Sequence, residues 1–125
     1  MTSVASRLKD ALWSVRRKFG MESDIDRLIP YLAFEREVND DQFNALFATY
    51  PKRIPEAFRP ALFAHIRLTM RLYYQYKRFK RQYHKLITAI AFIEDIVRYG
   101  FEKCNLVPDN TVGYKLQLKA NVKSK

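Results

Sequence analysis

The chain has 125 residues, 48% of them hydrophobic, with 23 Lys or Arg against 13 Asp or Glu and a formal net charge of +10. This length suits one domain with a modest core, and the hydrophobic fraction excludes an intrinsically disordered chain. Only three glycines and five prolines are present, so we predict a single all-α domain over residues 1–125, a helical bundle. Its one cysteine, Cys104, excludes an intrachain disulfide and favours an intracellular, cytoplasmic location.

The first predicted element is an amphipathic helix over residues 1–20. Its apolar residues recur at steps of three and four, and Gly20 follows them as a left-handed cap. Trp13 falls on the polar side, where it either marks a contact surface or packs through an oddly placed ring. Because the segment is rich in arginine and has one acid, it also resembles a mitochondrial presequence, so a mitochondrial location is the alternative. The apolar set is Val4, Leu8, Ala11, Leu12, Val15 and Phe19.

Residues 23–50 predict short acidic helices. Ser23 with Asp26 forms a capping-box pattern, Pro30 interrupts the helix that follows, and "NDD" at 39–41 begins another. From Glu22 to Glu56 there are eight acids and four bases. Prolines at 51, 55 and 60 separate this acidic part from the next element.

A long basic helix is predicted over residues 56–104, because no glycine or proline occurs from Ala61 to Tyr99. One apolar stripe runs along it with a mean step close to 3.6 residues. Such a helix would be about 58 Å long, against a compact radius of gyration of about 14 Å. We expect it to be continuous, with a partner covering the overhang; the alternative is a break near Lys77–Gln82. The stripe is Ala61, His65, Leu68, Leu72, Tyr76, Phe79, Tyr83, Leu86, Ile90, Ile93 and Val97.

Residues 105–125 predict a turn followed by a basic β-like tail. In "YKLQLKANV" apolar and polar residues alternate, which is typical of a strand. "VPDNTVG" supplies turn residues, so a hairpin with "KCNLV" is one possibility. A strand cannot satisfy its own backbone, and a second copy of the chain could also pair with it. Together with the overlong helix, this predicts a homodimer.

The stretch "RLTMRLYYQYKRFKRQYHK" at 67–85 has seven bases, five aromatic residues and no acid. On a continuous helix, five of the bases fall within about 40° of one line, with Tyr74 among them. A solvated face would mix acids with bases, because like charges four residues apart repel. We therefore predict a surface for an anionic partner. Its residues are Arg67, Arg71, Tyr74, Lys77, Arg78, Arg81 and Lys85.

Nucleic acid is the favoured partner, with RNA preferred and contacts to the phosphate backbone. Arginine suits phosphate because its planar fork binds two oxygens, and Tyr73 and Tyr74 could stack on unpaired bases. A long rigid basic helix fits duplex RNA better than sequence-specific DNA reading. The alternative function is an adaptor or inhibitor that docks the same face on an acidic protein. No metal-ligand spacing or glycine-rich phosphate loop is present, so we expect no cofactor. The uncharged run Leu86–Ile93 is far shorter than the roughly 20 residues that a helix needs to cross a bilayer, so we expect no membrane span.

One stretch bears on catalysis. "RFKRQYH" resembles the Arg-x(4–6)-His motif of HEPN-type ribonucleases. That resemblance implies His84 as acid and base and Arg78 as the ligand of the scissile phosphate. The same spacing recurs from Arg59 to His65, and Phe79 stands where the family has a polar residue. We therefore expect a binding protein and not an enzyme.

Overall fold

A computed structural model describes residues 3–20, 54–109 and 113–120. This part of the chain forms three α-helices and a hairpin, so the predicted helical class with a terminal hairpin is confirmed. The acidic helices predicted for 23–50 lie outside the described residues. Short 3₁₀ turns precede α2 and β1. The elements are α1 (Val4–Phe19), α2 (Arg59–Phe79), α3 (Tyr83–Tyr99), β1 (Cys104–Asp109) and β2 (Gly113–Leu118).

Helix α1 ends at the predicted Gly20 cap and begins after Ser3, which was not predicted as its N-cap. The Ser3 hydroxyl oxygen accepts a hydrogen bond from the backbone N–H of Ser6 at 3.1 Å, which satisfies one free donor of the first turn. At the other end Gly20 has φ 70°, and its N–H donates to the Arg16 carbonyl. Five of the six predicted apolar residues are buried, and Val4 packs against them. The segment that resembled a presequence is therefore part of the folded core.

The prediction of one continuous helix over 56–104 is wrong. Helix α2 ends at Phe79, α3 begins at Tyr83, and the two pack against each other. Residues 80–82 reverse the chain through two left-handed residues, Lys80 (φ 58°) and Gln82 (φ 66°). The Lys80 N–H still donates to the Tyr76 carbonyl at 3.0 Å, which closes the last turn of α2.

Packing between α2 and α3 explains why the chain turns back. Folded together, the helices bury a continuous aliphatic surface that one extended rod would expose, and each buried Leu or Ile contributes roughly 1.5–3 kcal/mol. The predicted stripe is only partly the buried face. Its members Ala61, Leu72, Leu86, Ile90 and Ile93 are buried, but Leu68 and Phe79 on α2 and Tyr83 on α3 are 45%, 54% and 45% exposed. The two helices also bury hydrophobic residues outside the stripe: Leu62, Phe63, Ile66, Met70 and Tyr73 on α2, and Ala89 and Ile96 on α3.

Helix α1 packs on α3 and runs in the same direction. Near the start of α1, Arg7 forms an ion pair with Glu94. Near its end, the Lys18 ammonium group donates to the Val97 carbonyl in the last turn of α3, and the Phe19 ring lies 4.9 Å from that of Phe101. Lys18 thus satisfies a carbonyl that the end of α3 would leave without an intrahelical donor.

The predicted hairpin is confirmed. Strands β1 and β2 pair antiparallel, with Cys104 opposite Leu118 and Asp109 opposite Gly113. The hairpin packs against α2 through β2: Leu116 is buried and Gln117 is exposed, as the alternating pattern predicts. Cys104 is also buried, where its thiol donates to the Gly100 carbonyl and burial raises its pKa.

Candidate nucleic-acid interface

The reversal between α2 and α3 presents a continuous exposed stretch, residues 78–85, which we call the basic segment. All eight of its residues, "RFKRQYHK", are exposed. Four carry permanent positive charge and none is acidic. Buried hydrophobic residues of both helices hold this segment where α2 and α3 join. The basic segment therefore places four positively charged side chains close together, on a turn that the packing of α2 and α3 holds in place.

Two aromatic rings are exposed between these charges. Phe79 is 54% exposed, with its ring edge-on to Tyr74 at 6.2 Å and the Arg81 guanidinium 6.0 Å from its centre. Tyr83 is 45% exposed and lies 5.5 Å from Tyr76. Exposed large rings among cations are what proteins use to stack unpaired bases while binding the neighbouring phosphates.

The structure divides the seven predicted site residues into two groups. Arg78, Arg81 and Lys85 are exposed in the basic segment. The other four lie on α2 and are half-buried: Arg67, Arg71, Tyr74 and Lys77. The three cations among these four already interact with other groups in the protein, so a phosphate would compete for them. The exposed three are the better candidates.

The single line of charge expected on a continuous helix does not exist. Because the chain reverses at 80–82, Arg81 lies in the turn and Lys85 on α3, while Arg67, Arg71 and Arg78 remain on α2. Tyr73, considered for base stacking, is 3% exposed and belongs to the core. Three residues of the segment were missed as site residues: Phe79, Lys80 and Tyr83. Phe79 and Tyr83 share the period of the apolar stripe, so helical spacing assigned them to the core.

The residues of the HEPN-like motif lie on either side of the reversal. Arg78 is in the last turn of α2 and His84 in the first turn of α3, both exposed. The His84 ring is edge-on to Tyr83 at 5.5 Å. The other histidine, His65, is half-buried and its Nε2 lies 3.0 Å from the Ala89 carbonyl oxygen. Burial lowers the His65 pKa, so this ring is neutral near neutral pH.

Within the described ranges, His, Cys, Asp and Glu side chains form no group of three that could hold a metal ion. None of the helices in those ranges has the length and hydropathy that crossing a bilayer requires. Comparison of the chain with protein-family models, curated proteins and solved structures finds no match.

Proposed function

We propose that this protein binds nucleic acid, with RNA favoured, through phosphate-backbone contacts and without catalysis. The observation that supports this most is the basic segment, eight consecutive exposed residues with four permanent cations, two exposed rings and no acid. Like charges this close repel one another. Stability alone gives no reason to keep them together, whereas a polyanionic partner does.

The geometry changes which form of RNA we favour. Duplex RNA was favoured because a long rigid basic helix could follow its backbone, but the structure has two shorter helices, α2 and α3, in its place. A turn that carries cations beside Phe79 and Tyr83 suits an unpaired strand, since each stacked base contributes about 1–3 kcal/mol whatever its identity. We propose single-stranded RNA as the preferred form, held by Arg78, Arg81 and Lys85 at its phosphates.

One observation supports the alternative function, an adaptor for an acidic protein. Trp13 on α1 is 37% exposed, and the Arg16 guanidinium lies 4.4 Å from its ring centre. Tryptophan and arginine are the residues most enriched where protein interfaces gain their affinity. Such a partner would use Trp13 as an anchor, and its affinity would not depend on nucleic acid.

The experiment that separates the two functions is titration of the purified protein with labelled single-stranded and duplex RNA at several salt concentrations. We expect similar affinities for unrelated single strands, weaker binding to duplexes, and log affinity that falls linearly with log salt at a slope of about −0.7 per phosphate contacted. The 260/280 nm absorbance ratio of the purified protein gives a first indication. Absence of binding at low salt would exclude the nucleic-acid function and leave the adaptor.

Lack of catalysis has its own test. Wild-type protein and the variant His84→Ala should both leave RNA intact without added metal, and their RNA affinities should agree closely. Metal-independent cleavage that disappears in His84→Ala would instead assign the chain a ribonuclease activity, with Arg78 and His84 in the roles that the HEPN resemblance implies.

Self-association and location belong to the same proposal. The homodimer was predicted because the tail strand needed a partner and the long helix was too long for a compact chain. One chain meets both needs, because β2 pairs with β1 and the predicted long helix folds back as α2 and α3. What still favours a dimer is that each strand of a two-stranded sheet has an unpaired edge. Light scattering at high micromolar concentration tests the dimer, and a monomeric mass would exclude it.

We also propose an intracellular location, cytoplasmic or mitochondrial, because either compartment gives access to RNA.

A further inference from the structure

Helices α2 and α3 border an open groove of about 670 Å³ on one side of their interface. Its wall on α2 extends from His65 to Gln75, which corresponds to about 15 Å along the helix axis. Its wall on α3 extends from Gln82 to Phe92. Sites for small molecules usually have volumes of about 300–1,000 Å³, so the groove is large enough for one such ligand.

The polarity of the groove changes along its length. The end far from the chain reversal is apolar, with Leu68 and Phe92 on its walls. The end near the reversal is polar and cationic, with Gln82, His84 and Lys85. Among the residues that the structure describes, none that lines the groove is acidic. The groove therefore suits a molecule with an apolar body at one end and a negative group at the other.

Contacts at the apolar end fix its shape and its charge. The His65 ring lies 4.8 Å from the Phe92 ring, and its Nε2 is within hydrogen-bond distance of the Ala89 carbonyl. Burial lowers the His65 pKa, so this ring carries no positive charge near neutral pH; the wall on α2 also includes Arg71, about one turn from Leu68 toward the reversal. The side chain of Leu68 is 45% exposed to water, and covering it would be favourable by about 25 cal/mol per Å².

We propose that the groove binds one monomeric amphiphilic anion from solution. Its apolar body covers Leu68, Leu72, Ala89 and Phe92, and its carboxylate or phosphate group lies beside His84 and Lys85 at the chain reversal. The proposal goes beyond nucleic-acid binding, because a charged phosphate backbone would not cover the apolar side chains at that end of the groove. Lys85 belongs to both sites, so the amphiphile and RNA compete.

Three probes with nearly the same unbranched alkyl chain, of nine or ten carbons, test the charge requirement: decanoate, decanol and decyltrimethylammonium, each below its micelle-forming concentration. By calorimetric titration we expect one decanoate per chain, bound about threefold or more tighter than either other probe, as one exposed ion pair permits. Lys85→Gln should remove most of that preference. Equal affinity for the cationic probe would overturn the proposal. So would binding to phosphatidylglycerol vesicles without binding to free decanoate.

A substitution in the wall tests the location. Leu68→Gln should weaken decanoate binding about fivefold or more, since the apolar contact that it removes accounts for a large part of the burial. Trp13→Gln, which also replaces a partly exposed apolar residue but on α1, should leave it unchanged. In wild-type protein, nuclear Overhauser contacts from the decanoate chain to Phe92 give a readout that does not depend on the stability of a variant. Contacts confined to other residues would overturn the proposal.

Failure of the amphiphile proposal can be distinguished from failure of the proposed nucleic-acid function. Leu68 is not a residue of the basic segment, so Leu68→Gln should bind RNA as wild type does. Loss of decanoate binding with RNA binding intact supports two sites that share Lys85. RNA binding in wild type without any decanoate binding overturns the amphiphile site alone.

Discussion

Arg7 and Glu94 join the first helix to the third through a bidentate ion pair, with Nη2 to Oε1 at 2.7 Å and Nε to Oε2 at 3.1 Å. Both side chains are more than a third exposed, so solvent and salt weaken the attraction. Arg7→Gln should therefore lower the free energy of unfolding by only about 0.5–1 kcal/mol.

The matched variant Arg7→Lys separates geometry from charge. Lysine keeps the charge but cannot form the paired hydrogen bonds, so it should recover less than half of the loss. Urea unfolding of Arg7→Gln, Glu94→Gln and the double variant would measure the coupling energy. A coupling of zero would mean that the pair does not stabilise the α1–α3 contact.

The basic segment gives a prediction about RNA. Arg78→Gln with Arg81→Gln should leave thermal stability unchanged or slightly raised, because it removes like-charge repulsion of a few tenths of a kcal/mol per pair. RNA affinity should fall about equally for unrelated sequences, and the salt slope should decrease by roughly 1–2 units for two lost phosphate contacts.

Lys9→Gln with Arg17→Gln is the control for that variant. Both residues are exposed on α1, so the net charge falls by the same amount at a different place. If this control weakens RNA binding as much as the first variant, overall charge and not the basic segment determines affinity.

The chain reversal gives a prediction about stability. Gln82 holds φ 66°, a conformation that costs a residue with a Cβ roughly 1–2 kcal/mol relative to the right-handed one. Gln82→Gly should raise the free energy of unfolding by a few tenths to about 1 kcal/mol. Gln75→Gly, the same exchange inside α2, should lower it by about 1 kcal/mol. Destabilisation by both variants would show that the reversal does not depend on the left-handed residue.

His65 gives a pH prediction. Burial lowers its pKa in the folded protein below the ordinary histidine value of about 6.5, so over the interval between these pKa values the unfolded chain binds more protons. The free energy of unfolding should therefore fall as the pH drops below 6.5, at up to about 1.4 kcal/mol per pH unit, and level off below the folded pKa.

His65→Gln keeps a donor for the Ala89 carbonyl and removes this titration. Its unfolding free energy should lose that part of the slope between pH 7.5 and 5, because every other ionisable group is the same in both proteins. Parallel pH profiles for wild type and His65→Gln would contradict the assignment of the slope to His65.

Local signals in the sequence predicted much of the fold and less of the site. Gly20 predicted the end of α1, and the alternation of apolar and polar residues predicted β2, whereas the Ser3 cap at the start of α1 was not predicted. The reversal at 80–82 has no such signal, since Lys80 and Gln82 adopt left-handed geometry without glycine. Periodicity also put Phe79 and Tyr83 in the core, but they lie on either side of the chain reversal and are exposed there. Arg78, Arg81 and Lys85 were predicted as site residues; Lys80 and the two exposed rings were not.

The sequence distance between α1 and α3 has a consequence for the order of folding. A three-residue connection joins α2 to α3, whereas Arg7 and Glu94 are 87 positions apart. Closing the longer loop costs about 3 kcal/mol more chain entropy, so we expect α2, α3 and the hairpin to associate first and α1 to dock last. Native-state hydrogen exchange should then show α1 opening at a lower free energy than α3. Equal opening free energies would mean that the whole described structure unfolds as one cooperative unit.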